Sequence, residues 1–459
     1  MNKTVVYPVL MILGIFLTFG FSQSTEDAIR ITENMQGFGA RALSLGGAYQ
    51  GVADDYSAIY WNPAGLAQMR KMEFMMGISH TVLRNDLVYQ GTPFQVTNSA
   101  TRLNSLGLAF PIPTYRGSLV FAVGYQRVKD FDYINEFKGI SAEGSDRLSF
   151  YLDSTGTLYH FWGEDVQKEE YIHDEGTLNQ WSGAFGMDIS PNASVGMTMT
   201  YWSGSSDYRQ DFYQLDVYDH FTKYPANFHD YTEKRNILAE YSSFSFKFGV
   251  MIRMGKVIRL GIGMQPPQTF HVTENYRLNS SISFDDEEYI QLDDLTGEFK
   301  YKVKMPFRFD AGLSLALGPI LATGSAEYID WTQLKFDVSD EERYNPDYQD
   351  LLDQNRLFKD NYRPTLKLSV GGEIGLPFLA SQFRGGLTYD QSPDKHASLE
   401  HDRKYISLGY GLLIDKVFKL DIMYRLGFWK QFSYDDLAPS GTDEEIYHNK
   451  LLLTVSYRF

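Results

Sequence analysis

The chain has no cysteine among its 459 residues. That removes disulfide staples, thiolate metal sites and thiol nucleophiles together. Positive charge is scarce too: 42 Lys and Arg stand against 58 Asp and Glu, leaving a net charge of −16. Phosphate binding needs concentrated cationic surface, so a nucleic-acid partner is not expected. Histidine is limited to nine residues, and no two share a face at metal-ligand spacing. Nor does a Ser–His pair fall at matched depth on neighbouring elements, so neither an enzyme nor a cofactor or metal site is expected. After the first two dozen residues there is no run of 18 apolar residues. A chain like this can cross a membrane only as strands.

The opening "MNKTVVYPVLMILGIFLTFGFSQS" has Lys3, an apolar run from Val5 to Phe21, and small residues at Gly20 and Ser22. This is the layout of a secretory signal peptide over residues 1–22, with Gln23 as the mature start. Aromatics are plentiful, with 32 Tyr and 32 Phe, which favours strands and membrane interfaces.

Period-two alternation dominates from Met72 onward. Phe244, Phe246, Phe248, Val250 and Ile252 share one face, opposite Ser245, Lys247, Gly249, Met251 and Arg253. The same pattern recurs in Ile406–Ile414 and Phe418–Phe428. Strands are predicted at about 72–82, 102–110, 117–128, 177–189, 194–204, 241–253, 257–274, 299–316, 320–335, 364–375, 383–390, 403–414, 418–430 and 449–459, fourteen in all. Short connections, such as Gly255–Lys256 and Gly318–Pro319, alternate strictly with long ones at about 84–100, 130–175, 205–238, 276–298, 337–362, 391–402 and 431–447. Short turns on one rim and long loops on the other mark an all-β, 14-stranded antiparallel transmembrane barrel in a bacterial outer membrane. The terminal "LLLTVSYRF" aligns Leu451, Leu453, Val455, Tyr457 and Phe459 on one face. Tyr457 and Phe459 look like the assembly signal read by the barrel-assembly machinery. Trp181, Trp202, Trp331 and Trp429 fall at girdle depth, although alternation aims Trp202, Trp331 and Trp429 inward. The acidic loops lack regular calcium-ligand spacing and read as solvated surface.

A fourteen-strand lumen is too wide for side chains to fill. The mature sequence ahead of the first strand, residues 23–71, is therefore predicted to be a partly helical hatch, with the barrel over 72–459. Gly37, Gly39, Gly46, Gly47 and Gly51 would let its backbone bend. Asp54 or Asp55 would cap a short helix through Tyr60, and Asn62 would cap a second that starts at Pro63.

Within this segment "GFGARALSLGGAYQGVADDYSAIYWNPAGLAQ", Gly37–Gln68, resembles the hatch of the FadL-like outer-membrane family, which includes long-chain fatty-acid and aromatic-hydrocarbon transporters. Asn62-Pro63-Ala64 matches the family's hatch triplet, and Gly46-Gly47-Ala48 and Ala53-Asp54-Asp55 match its lead-in. The resemblance implies a monomeric, plugged barrel among outer-membrane lipids. It implies diffusive uptake of a hydrophobic or amphipathic small molecule, which leaves through a wall opening near the third strand. It also admits a barrel that serves as an adaptor or shuttle in protein secretion. A sealed, purely structural surface protein is a third reading. Gly46 and Gly47 have two readings, tight turns or gating, and Asn62, Pro63 and Ala64 have the same two.

One further stretch carries a chemical expectation. In "FKYKVKMPFRFD", Phe299–Asp310, alternation would send Phe299, Tyr301, Val303, Met305, Phe307 and Phe309 to lipid. Lys300, Lys302, Lys304 and Arg308 would then form an inward basic ladder, unless a bulge at Pro306 flips the register. Such a ladder would either receive the anionic head of a ligand or be balanced by acidic loops and by inward Glu373 and Asp390.

Overall fold

The computed structural model describes residues 24–33, 35–141, 148–151, 158–161, 166–220, 228–285, 289–415, 417–434 and 437–459. The expected signal peptide lies outside them. Fourteen antiparallel strands form one closed wall: β1 Glu73–Tyr89, β2 Thr92–Ile112, β3 Leu119–Asp130 continued by Tyr133–Ile140, β4 Gln167–Ser190, β5 Ala193–Leu215, β6 Phe228–Met254, β7 Ile258–Gln265 continued by Thr269–Phe284, β8 Tyr289–Lys304 continued by Arg308–Leu317, β9 Ile320–Asp330 continued by Lys335–Asp337, β10 Pro364–Leu376, β11 Ser381–Asp390, β12 Arg403–Ile414, β13 Phe418–Ser433 and β14 Thr442–Arg458. β1 closes on β14 from Glu73↔Arg458 to Val88↔Asp443. A small hairpin, Leu148–Tyr151 with Leu158–Phe161, stands apart from the wall.

Four strands are broken, each for a local reason. β7 is interrupted at Pro266-Pro267 and β8 at Pro306, where the ladder loses its N–H donors. β9 turns through a short 3₁₀ helix, Trp331–Gln333, in which the Asp330 side chain accepts from the Thr332 N–H. β3 breaks at Phe131-Asp132, and its upper part pairs with β4 alone.

The alternation has its expected sense. Phe244, Phe246, Phe248, Val250, Leu366, Leu368, Leu408 and Leu451 are exposed on the outer wall, while Ser245, Ser369, Ser407 and Lys450 between them are buried. The lengths require a correction. Most of the expected long loops are strand: β1 and β2 meet in a tight turn at Gln90-Gly91, and β6 begins at Phe228 instead of near 241. The connections between β9 and β10 and between β11 and β12 remain loops. The first of these carries two short helices, α4 Gln349–Asp353 and α5 Leu357–Asn361.

Inside the barrel lies the N-terminal segment. It contains α1 Thr25–Thr32, α2 Ala40–Ser44, α3 Ala58–Trp61 and a 3₁₀ turn, Pro63–Gln68. Ser24 starts α1 through a capping box: its hydroxyl accepts from the Asp27 N–H while the Asp27 carboxylate accepts from the Ser24 N–H. Of the tryptophans, Trp202 and Trp331 are buried inside, donating to Ser245 and Thr365, and Trp181 is exposed outside.

The ladder closes through β1 and β14, so the cylinder resists unzipping by detergent at room temperature. Unboiled protein should therefore migrate differently from boiled protein in a denaturing gel. Identical mobility would mean that β1 and β14 do not close the wall.

Candidate functional site

The hatch has only short helices, and several of its carbonyls take their partners from outside the segment. Inward hydroxyls on the wall supply them. Ser194 and Thr198 of β5 donate to the Ala64 and Ile59 carbonyls at 2.9 and 2.7 Å. Ser314 of β8 and Thr323 of β9 donate to Gly51 and Ala48, both at 2.8 Å. Thr388 of β11 donates to Gly46 at 2.5 Å, and Thr454 of β14 accepts from the Ala40 N–H at 3.1 Å.

Between these hydroxyls the wall presents glycine. Gly186, Gly196 and Gly249 are paired in register across β4, β5 and β6. A side chain at Gly249 would lie 3.0 Å from the Pro63 ring, and one at Gly371 would lie 2.8 Å from the Leu45 Cα. The hatch backbone thus sits directly against the wall.

The expected hatch residues are all placed here. The Asn62 side chain, fully buried, accepts from the Ala64 N–H at 3.1 Å, and Pro63 opens the turn as expected. Its amide also donates to the Gln50 carbonyl (3.0 Å) and to the Val250 carbonyl of β6 (3.2 Å). Gly46 and Gly47 both have positive φ, 68° and 77°. A side chain at Gly46 would meet the Leu387 carbonyl at 2.8 Å. Neither aspartate is the N-cap of α3, which starts after Ser57; Asp55 instead holds the Ser57 N–H and hydroxyl at 3.0 and 2.6 Å. Asp54 pairs with Arg41, whose Nε also reaches Glu373 of β10 at 2.9 Å. Burial pushes the Asp54 carboxyl up, but Arg41 and then Arg259 outweigh it and hold it below the usual carboxylate range.

Above the hatch the lumen has two layers. The lower one is charged. Lys247 meets Asp310 at 2.9 Å, Lys367 meets Asp390 at 3.2 Å, and Arg308 lies 3.8 Å from Glu327. Two adjoining cavities open here. Tyr60, Trp61, Asp310 and Glu327 line both of them. The upper layer is apolar and joins Ala28, Ile29 and Ile31 of α1 to Tyr301, Val303, Phe336, Leu351 and Phe358 near the mouth. On the other side it joins Val128, Phe131 and Leu178 at the broken third strand. α1 is tied in this layer by Arg30 to Asp174 and by a two-bond pair of Glu33 with Arg403 at 2.7 and 2.9 Å.

The wall has a seam beside Phe131. The β2–β3 ladder ends at Ser105↔Gln126, and among the described residues β2 has no backbone partner on that side from 92 to 104. The upper part of β3 leans across the inner face of β1: Phe137 stacks on Tyr89 at 4.0 Å and Asn135 reaches Thr442 at 3.1 Å. Arg102 of β2 spans the seam, donating to both Asp132 oxygens and lying 3.5 Å from Asp130. No residue pattern marked Arg102 or the position of this break; only the resemblance implied an opening near the third strand.

The expected basic ladder is not inward as a unit. Pro306 flips the register. Tyr301, Val303 and Met305 are buried and Phe299 stacks on Tyr348 at 4.3 Å, so these apolar residues face the lumen. Lys300, Lys302 and Lys304 face out, whereas Arg308 below the break is buried inside and Phe307 and Phe309 are exposed. Glu373 and Asp390 are satisfied by Arg41, Arg384 and Lys367 instead.

Asn62→Ala removes one cap and two ties at once, each worth about 0.5–1.5 kcal/mol. It should lower the temperature at which the folded gel band is lost and raise the entry of a small dye. Asn62→Asp keeps the cap acceptor and should recover part of both. Unchanged permeability and conversion temperature in Asn62→Ala would show that the hatch does not depend on this residue.

The solved structure of a Pseudomonas aeruginosa FadL homologue is similar to this chain at 16% identity, covering 93% of this chain and 98% of that one with a TM-score of 0.58. The Pseudomonas putida toluene transporter TodX is similar at 11% identity, 93% and 99% coverage and a TM-score of 0.60. The Ralstonia pickettii toluene transporter TbuX is similar at 14% identity, 93% and 99% coverage and a TM-score of 0.55. A search among curated protein sequences found no match. A family model matches residues 176–452, more than half of the chain. The chain therefore belongs to the outer membrane protein transport protein family (OMPP1/FadL/TodX).

Proposed function

We propose that this barrel takes up hydrophobic small molecules by diffusion, through the apolar layer under the mouth and sideways out of the seam between β2 and β3. The observation that carries this reading is the continuity of the apolar layer. One set of contacting side chains runs from the lid residues Leu351 and Phe358 to Val128 and Phe131 at the unpaired stretch of wall. Apolar cargo gains about 0.8 kcal/mol per methylene buried along such a path, and a lateral exit delivers it to the membrane without crossing the periplasm. α1 fills the path, so passage requires it to move. Gly46, Gly47 and the Asn62–Ala64 turn stay seated below and keep the lumen shut to water.

Amphipathic cargo such as long-chain fatty acids suits the layer beneath. There Lys247, Arg308 and Lys367 lie against Asp310, Glu327 and Asp390. An entering carboxylate could exchange partners with a cation there for a charge-assisted hydrogen bond of about 1.5–3 kcal/mol. TodX and TbuX are toluene transporters, and toluene is a neutral hydrocarbon, so both ligand types belong in the assay.

Uptake of a labelled long-chain fatty acid and of toluene should be measured in cells or proteoliposomes carrying the protein. Arg102→Ala removes the ion pair that spans the seam and should raise the uptake rate at least two-fold, with the folded gel band retained. Unchanged uptake would place the exit elsewhere. No uptake of either compound by the native protein would remove the transport reading and favour an adaptor role in secretion.

A further inference from the structure

Outer faces of barrels normally carry no charge near lipid, and this one has an exception. Lys300, Lys302 and Lys304 of β8 face outward, as does Lys335 of β9. Lys304 and Lys335 are directly opposed in the ladder, while Lys302 stands between His271 of β7 and Asp337 of β9, the carboxylate that Lys304 occupies. Like charges at opposed positions destabilise a strand pair unless something negative lies between them. The chain supplies little. Asp337 takes Lys304 at 2.6 Å and is shared with Arg343 at 2.9 Å, and Lys300 meets Glu298 at 2.5 Å. Among the described residues, no carboxylate is within ion-pair reach of Lys302 or Lys335. This local cationic excess occurs in a chain of net charge −16.

The depth of the patch is informative. Phe307 and Phe309 of β8, at 41% and 46% exposure, begin the lipid-facing run just below Pro306, and Tyr328 opposes Phe309 on β9. Lys304 lies three residues above Phe307, at most about 11 Å along the chain. The patch thus borders the upper edge of the lipid-facing run, where headgroups lie. The backbone is held firmly there, because Tyr301, Val303 and Phe336 on the opposite face are packed into the lumen core.

We propose that this patch, centred on Lys302, Lys304 and Lys335, binds the phosphorylated headgroup of an outer-leaflet glycolipid. Phosphate supplies the missing negative charge, and its acyl chains lie on the aromatic rim below. The proposal rests on the outward face alone and is independent of the transport path.

The test uses the full barrel, purified in detergent and stripped of lipid, with rough lipopolysaccharide and its enzymatically dephosphorylated form as probes, read by native mass spectrometry. The native protein should retain the phosphorylated form and bind the dephosphorylated one at least ten-fold more weakly. The variant K302Q/K304Q/K335Q should lose at least ten-fold for the phosphorylated form while keeping its folded gel band. The corresponding triple Lys→Arg variant should bind like the native protein. If the triple Gln variant does not fold, K302Q/K335Q, which breaks no ion pair, replaces it. Equal binding of the two lipid forms, or equal binding by the native and Gln proteins, overturns the proposal. Displacement of the lipid by millimolar inorganic phosphate would show a free-anion site and overturns it too.

Discussion

Everything inside this barrel depends on how a hatch with little secondary structure satisfies its backbone. A buried carbonyl without a donor costs about 1–3 kcal/mol, and several in the hatch have no donor within the segment. The wall supplies hydroxyls from Ser194, Thr198, Ser314, Thr323 and Thr388, spread over β5, β8, β9 and β11. These groups can reach only because glycines such as Gly249 and Gly371 let the backbone come close. Alternation places Ser, Thr and Gly on the inner face for this reason. The lumen is then layered: tied backbone at the bottom, paired charge in the middle, apolar side chains under the mouth.

The fold was largely legible, and for a physical reason. Where one face of a strand meets lipid, the pattern of two is enforced, and Phe244–Val250 or Ile406–Tyr410 could be read without help. Above the lipid both faces meet water or protein, and the pattern fades. Lys234, Asn236 and Glu240 on the outer face of β6 look like loop, so the strand was read too short. The prolines at 266, 267 and 306 were visible, but not which way each break would turn its strand. Pro306 sends the three lysines out and the aromatics in, the reverse of what unbroken alternation requires.

The hatch was legible through composition and a short resemblance, and Asn62 has the cap expected of it. Its ties to Gln50 and Val250 were not, because they depend on which strand lies beside it. The seam was expected only through the resemblance, which implies an opening near the third strand; no residue pattern marks it. Phe131-Asp132 is an ordinary dipeptide, and what matters is that β3 above it pairs with β4 and leaves β2 unpaired on that side from 92 to 104. Register between distant strands is a property of the closed ring, and single-chain patterns carry no record of it.

The two ends of the wall meet at one point with a consequence for assembly. Met72, where the hatch becomes β1, and the terminal residue Phe459 exchange both backbone hydrogen bonds at 3.1 Å. Glu73 in the next position accepts from the Tyr56 N–H of the hatch at 2.9 Å and pairs with Arg458 of β14. The last rung of the ladder and the root of the hatch are thus the same few atoms. Closure of the cylinder and seating of its contents therefore draw on the same groups, and a change at Glu73 weakens both at once.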